Sequence, residues 1–304
     1  MSSSSSRNRE ALIRQFRAIT NATQQDAQRL LKASSYRIEA ATDAFFSDAT
    51  AMANAAKASG ASAGVDKKTD KEATDRLSQL FDKYKDADED KITIEGAMAM
   101  CEDLEVSPED VVFLPLSYYL RSESIGSFGR KEYIEGWKML GYADTLDKQK
   151  AALDKLRDEL RRNAPVRPER LALEGKRSGA GLYEKVYEYT YAFARPEGQK
   201  SLPLETALAF WDLVLPASPT FEGSEAGGKF TQAQLELWKR FLSEKTGGRA
   251  VSKDTWTQFI DFTREIDRDF GNHDFDAAWP SVIDDFVEWA KVNGGASKDG
   301  MDTS

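Results

Sequence analysis

The chain has 304 residues, a net charge of −9, 40% apolar and 31% charged residues, one cysteine (Cys101) and one histidine (His273). That length allows two domains and a sizeable core, and the balance is that of a folded chain rather than a globally disordered one. Single Cys and His residues exclude an intrachain disulfide framework and a structural zinc site, and no apolar run reaches the length a bilayer requires.

Charge is spread unevenly. Residues 1–50 carry 7 basic and 5 acidic groups, whereas residues 261–304 carry 4 basic and 11 acidic groups. An acidic end opposes nucleic acid and favours a basic protein partner. The N-terminal Met-Ser-Ser-Ser-Ser-Ser-Arg run lacks the apolar stretch of a signal peptide, so cytoplasm and nucleus are the expected locations, with no membrane partner.

Taken in chain order, residues 8–50 read as three short helices. Leu12, Ile13, Phe16 and Ile19 recur at helical spacing, then Ala27, Leu30 and Leu31, then Ile38, Ala41, Phe45 and Phe46. Thr23 with Asp26 three residues on resembles a capping box. Residues 51–72 are rich in Ala, Ser, Gly and Lys and read as a flexible linker.

From residue 73 to 292 the pattern is helical almost throughout. Leu77, Leu80, Phe81 and Tyr84 share a face, and a dense apolar helix around Pro115 follows. A charged helix runs from Leu146 to Arg162, and Tyr183 to Ala194 is strongly aromatic. Leu208, Trp211 and Leu215 recur at spacings of three and four. Phe221 and Phe230 enclose a Gly-rich insert. Trp238, Trp256, Trp279 and Trp289 complete the set. Residues 293–304 read as a disordered tail. No period-two alternation bounded by turns appears, so the predicted fold is all-α, a small three-helix unit joined to a larger helical domain.

Asp86, Asp88 and Asp90 stand at positions one, three and five of a calcium-loop pattern. Lys91 then occupies the sixth position, where the turn needs Gly, and Ala97 the twelfth, where a bidentate Glu belongs. A second loop, Arg121 to Glu132, has Gly126, Phe128 and Glu132 in the expected places but Arg121, Glu123 and Ile125 in place of ligands. The two read as paired EF-hands that have lost their metal. No metal or cofactor is therefore expected, and an EF-hand-derived calcium sensor is the alternative.

His273 has no nucleophile motif near it and reads as a solvated loop histidine. Cys101, in a helical context, reads as a small buried hydrophobe. Without a usable base and nucleophile, the chain is not expected to be an enzyme.

Several segments, in this order, resemble the Dcn-type (defective in cullin neddylation) family. They are Leu80 to Asp86, Phe128 to Tyr133, Gly198-Gln199-Lys200, Ala209 to Leu215, Lys253 to Trp256, and Ala278 to Glu288. The resemblance implies an N-terminal UBA-like domain and a larger helical potentiating-neddylation domain. It implies a non-catalytic co-ligase that binds the cullin C-terminal winged-helix region and the acetylated N-terminal Met of the conjugating enzyme, beside the cullin's RING subunit. By that likeness the cullin-binding residues are Asp254, Ala278 and Asp284, two carboxylates able to accept charge-assisted bonds around a small residue. Asp254 also stands where it could simply cap a helix. The conjugating-enzyme pocket is implied at Ile94, Ala97, Phe113, Leu116, Ser117, Phe128, Phe193, Phe210 and Leu213. Phe210 replaces a common Tyr, and Ala97 is small, which together imply a deeper or less polar pocket. The UBA-like domain implies binding of ubiquitin or a ubiquitin-like modifier, and a ubiquitin-binding adaptor is the third reading.

Overall fold

A computed structural model describes residues 9, 12–14, 16–17, 20, 22–46, 48, 50–51, 54, 67–168, 171 and 180–294. Ile19, most of the expected linker, part of the connection after Asn163 and tail residues 295–304 lie outside the described residues. The chain divides into two compact units, residues 1–72 and 73–304.

In the first unit, α1 (Gln24–Ala33) and α2 (Ile38–Phe46) pack with the turns that carry Phe16. Thr23 Oγ1 accepts the Asp26 backbone N–H at 3.1 Å and so starts α1. Bonds from Thr23 and Arg29 hold the Asp26 carboxyl below the usual range. Phe16 meets Phe45 edge-on at 6.2 Å, in a core with Leu30, Leu31 and Ala41.

Helix α3 spans Lys67–Tyr84, so the last six residues of the expected linker are helical. They carry no apolar residue, which hides their periodicity. Four of the six are Lys or Glu, good helix formers, and Lys68 lies 3.9 Å from Glu72 one turn on.

In the larger unit, strand β1 (Lys91–Ile92) and α4 (Ile94–Leu104) follow α3. Then come α5 (Phe113–Tyr119), strand β2 (Phe128–Gly129) and α6 (Arg130–Met139). The strands pair antiparallel, Ile92 opposite Phe128. This is the helix–loop–helix pair expected from the sequence, with a different register. Antiparallel pairing of two equivalent loops sets equivalent positions opposite one another. Ile92 is therefore the counterpart of Phe128, and the first loop begins at Lys85 rather than Asp86. Asp86, Asp88 and Asp90 then fall between the ligand positions, and Gly96 takes the place of the bidentate Glu. A Cβ on Gly96 would lie 1.8 Å from the Tyr84 carbonyl oxygen, so glycine is what lets α4 approach the end of α3. Arg130 supplies a cation instead. Its Nη2 donates to Asp82 and Asp90 at 2.6 Å, and it lies over the Phe81 ring.

The remaining helices are α7 (Leu146–Arg161), α8 (Leu182–Ala194), α9 (Leu204–Val214), α10 (Gln232–Lys245), α11 (Lys253–Glu265) and α12 (Ser281–Asn293). Asp144 ties α3 to the start of α7, accepting from Arg76 Nε at 2.8 Å and Lys148 Nζ at 2.7 Å. Trp211, Trp238, Trp256 and Phe259 are buried at the centre, and Trp211 stacks on Trp256 at 5.0 Å. The Gly-rich insert closes on itself: Glu222 N–H donates to the Phe230 carbonyl and Phe230 N–H to that of Thr220. The fold is all-α apart from the two-residue strands. Among the described residues no helix is long and apolar enough to cross a membrane.

Candidate functional site: an apolar groove and an acidic helix pair

Two places in the larger unit gather the residues singled out in the sequence. The first is a groove of about 540 Å³, within the usual range of small-ligand and peptide pockets. Ile94, Ala97, Met98 and Cys101 line it from α4, one stripe at helical spacing. Phe113, Leu114 and Ser117 close it from α5, Phe128 from β2, Phe193 from the end of α8, and Phe210 and Leu213 from α9. Phe193 and Phe210 meet edge-on at 6.5 Å, fixing one wall. Ile94 is 65% exposed, and Met98 and Ile125 on the same rim are also open to solvent. Exposed large apolar side chains around a concave apolar floor mark a binding surface.

Eight of the nine expected pocket residues line this groove. Leu116 does not. It is 0% exposed and sits in the core. At about 100° per residue, Phe113, Leu114 and Ser117 span one arc of α5, and Leu116 lies about 60° outside it. Sequence reading missed Met98 and Cys101, although each stands four residues beyond an expected lining residue, Ile94 and Ala97. Burial pushes the Cys101 thiol up to about 11, so it is protonated at neutral pH. Asp110 and Asp212 also reach the groove, each already paired, with Arg157 at 3.1 Å and Lys239 at 2.8 Å.

The second place is where α11 and α12 begin. Asp254 is in the first turn of α11 and Asp284 in that of α12, where the helix dipoles favour a carboxylate. The helix cap is Ser252, whose Oγ accepts the Thr255 N–H at 3.0 Å, and not Asp254. The exposed Asp254 carboxylate accepts from Gln258 at 3.1 Å. Ser252, Thr255, Ser281 and Asp285 face one open groove, so the two helix starts lie side by side. Ala278 is exposed in the connection just before α12.

Aromatic packing makes these starts rigid. Trp256 stacks on Tyr187 at 4.9 Å, donates Nε1–H to the Tyr187 carbonyl at 2.9 Å, and its own carbonyl accepts from the Tyr187 hydroxyl at 2.9 Å. Trp279 meets Phe262 edge-on.

His273 is not a solvated loop residue. Its side chain is 1% exposed, and Nε2 lies 2.8 Å from Asp284 Oδ1. Phe262, Phe275 and Trp279 surround the ring. Sequence reading had no signal for this, because Phe262 and Asp284 stand eleven residues either side of it.

Among the described residues no group of three or more His, Cys, Asp or Glu side chains could hold a metal ion.

Comparison with known proteins identifies relatives of this chain. Residues 148–289 match the family model described as "Cullin binding", and residues 10–51 the one described as "UBA-like domain". The chain is 62% identical to "Defective in cullin neddylation protein 1" of Mycosarcoma maydis over 322 residues, covering 99% of this chain and 100% of that protein. It is 34% identical to the protein of the same description from Cryptococcus neoformans, covering 92% and 93%. Human "DCN1-like protein 3" is 34% identical over 70% of this chain and 62% of its own length.

Proposed function

Because the chain belongs to the defective-in-cullin-neddylation family, with a role in cullin neddylation, we propose that it is a non-catalytic co-ligase joining two partners. The apolar groove takes the acetylated N-terminal Met of the conjugating enzyme, and the acidic start of α11 and α12 takes the cullin winged-helix region. Acetylation removes the terminal charge, so burying that end in an apolar groove costs far less. Asp254 and Asp284 are suited to Lys or Arg on the cullin. Holding both partners beside the RING subunit raises the effective concentration of the reacting ends, which lowers a barrier with no catalytic side chain in this chain. The proposal extends to ubiquitin or a ubiquitin-like modifier as a ligand of the UBA-like residues 10–51, and to action in the cytoplasm and nucleus.

The observation that carries this reading is the groove itself. Eight residues named from the family likeness converge on one open apolar cavity with an exposed apolar rim. The test is a reconstituted neddylation assay with this protein titrated at limiting conjugating enzyme. Stimulation is expected, and Asp254→Ala and Asp284→Lys, each still folded, should reduce it at least tenfold, the loss of a charge-assisted bond. No stimulation with any cullin of the same organism would overturn the function. Undiminished stimulation by both variants would overturn the acidic patch.

A further inference from the structure

The acidic patch has a feature that neither its charge nor the family likeness explains. Asp284 is backed by a buried imidazole. Its side chain is 28% exposed, while that of His273 beneath it is 1% exposed. At neutral pH a carboxylate can only accept, so the proton in the 2.8 Å contact is on His273 Nε2. That bond engages Oδ1 and leaves Oδ2 as the free acceptor. The ring itself cannot turn away freely. Phe275 meets it edge-on at 4.6 Å, Phe262 from α11 at 5.9 Å, and Trp279 lies tilted at 6.1 Å.

We propose that His273 is a positioning residue for the partner-facing carboxylate of Asp284, donating from beneath it and so fixing which oxygen is presented to a basic side chain of the cullin. This rests on the co-ligase reading above. A carboxylate held in one rotamer loses less freedom when it binds than one that must first be ordered.

The charged groups near the ring are few. Asp284 approaches from α12. Glu265 of α11 and Asp274 of the same loop share a small cavity with His273. Lys291 of α12 lies 5.2 Å over the Phe275 ring.

The experiment measures the affinity of the full chain for a cullin C-terminal fragment at pH 7.5, with thermal unfolding of each variant alongside. His273→Phe keeps an aromatic ring in the site and removes the donor. His273→Gln keeps a donor without the ring. At pH 7.5, His273→Phe should bind about 2- to 10-fold more weakly, the worth of one hydrogen bond, and His273→Gln should recover most of that. Wild-type binding with an unweakened His273→Phe overturns the inference alone. So does a His273→Gln as weak as His273→Phe. Failure of the wild type to bind any cullin fragment overturns the co-ligase reading, and the inference with it.

Discussion

Leu116 lies in the core and Ile94 on the groove rim, and exchanging each for alanine separates core from binding surface. Leu116 is 0% exposed and packed in the main core. Leu116→Ala should therefore cost about 2–5 kcal/mol, the transfer of the lost carbons plus the cavity left behind. Ile94 is 65% exposed on the groove rim, so Ile94→Ala should change stability by no more than about 0.5 kcal/mol. Binding reverses the order. An N-terminally acetylated peptide that covers the rim buries what Ile94 now exposes. At about 0.8 kcal/mol per buried methylene, and with only part of the side chain newly covered, Ile94→Ala should weaken the peptide by about 5- to 30-fold. Leu116→Ala, under conditions where it is folded, should leave peptide affinity near that of the wild type. Urea unfolding read by tryptophan fluorescence gives the first quantity, since all 6 tryptophans lie in the larger unit. Fluorescence anisotropy of a labelled peptide gives the second. A Leu116→Ala protein as stable as the wild type would refute the assignment of Leu116 to the core. An Ile94→Ala protein with undiminished peptide affinity would refute the rim.

Two further substitutions test what holds the groove in place. Asp144, 2% exposed, is paired with Arg76 and Lys148. Burial alone would raise its pKa, but the bonds from Lys148 and Arg76 prevail and hold it below the usual range. With both cations half open to solvent, Asp144→Asn should cost about 2 kcal/mol and lower the melting temperature by about 4–8 °C at pH 7. A depressed carboxyl stabilises above its unfolded pKa and stops doing so as pH falls through its folded one. Wild type and Asp144→Asn should therefore converge in acid, and a gap that persists there would contradict the pairing. Gly96→Ala must push a methyl against the Tyr84 carbonyl. It should cost about 1–3 kcal/mol and, by tilting α4, weaken the acetylated peptide as well. Unchanged unfolding and binding in that variant would show that α4 is free to shift.

Much of the candidate site was legible through the ordered segments from Leu80 to Glu288, whose family likeness named eight residues that line the groove. Met98 and Cys101 were missed, although one helical turn on from Ile94 and Ala97 reaches both. Leu116 came with the family likeness, and the structure places it in the core instead, because neither likeness nor spacing says which face of α5 meets the groove. Both sides of α5 are apolar, and one of them is core. The calcium-loop frame was misread for a related reason. Asp86, Asp88 and Asp90 fit the ligand spacing in isolation, but the pairing of Ile92 with Phe128 fixes the register from the other loop.

The sequence alone determined an all-helical chain, its larger aromatic core, an acidic end that contains Asp284, and a loop pair poor in metal ligands. Those are properties of composition and local spacing. The tertiary structure decided that Arg130 stands among the loop acids, that Gly96 is where two helices touch, and that the chain's single histidine lies beneath Asp284. Each of these depends on side chains brought together from separate elements, and burial and charge pairing act through space rather than along the chain.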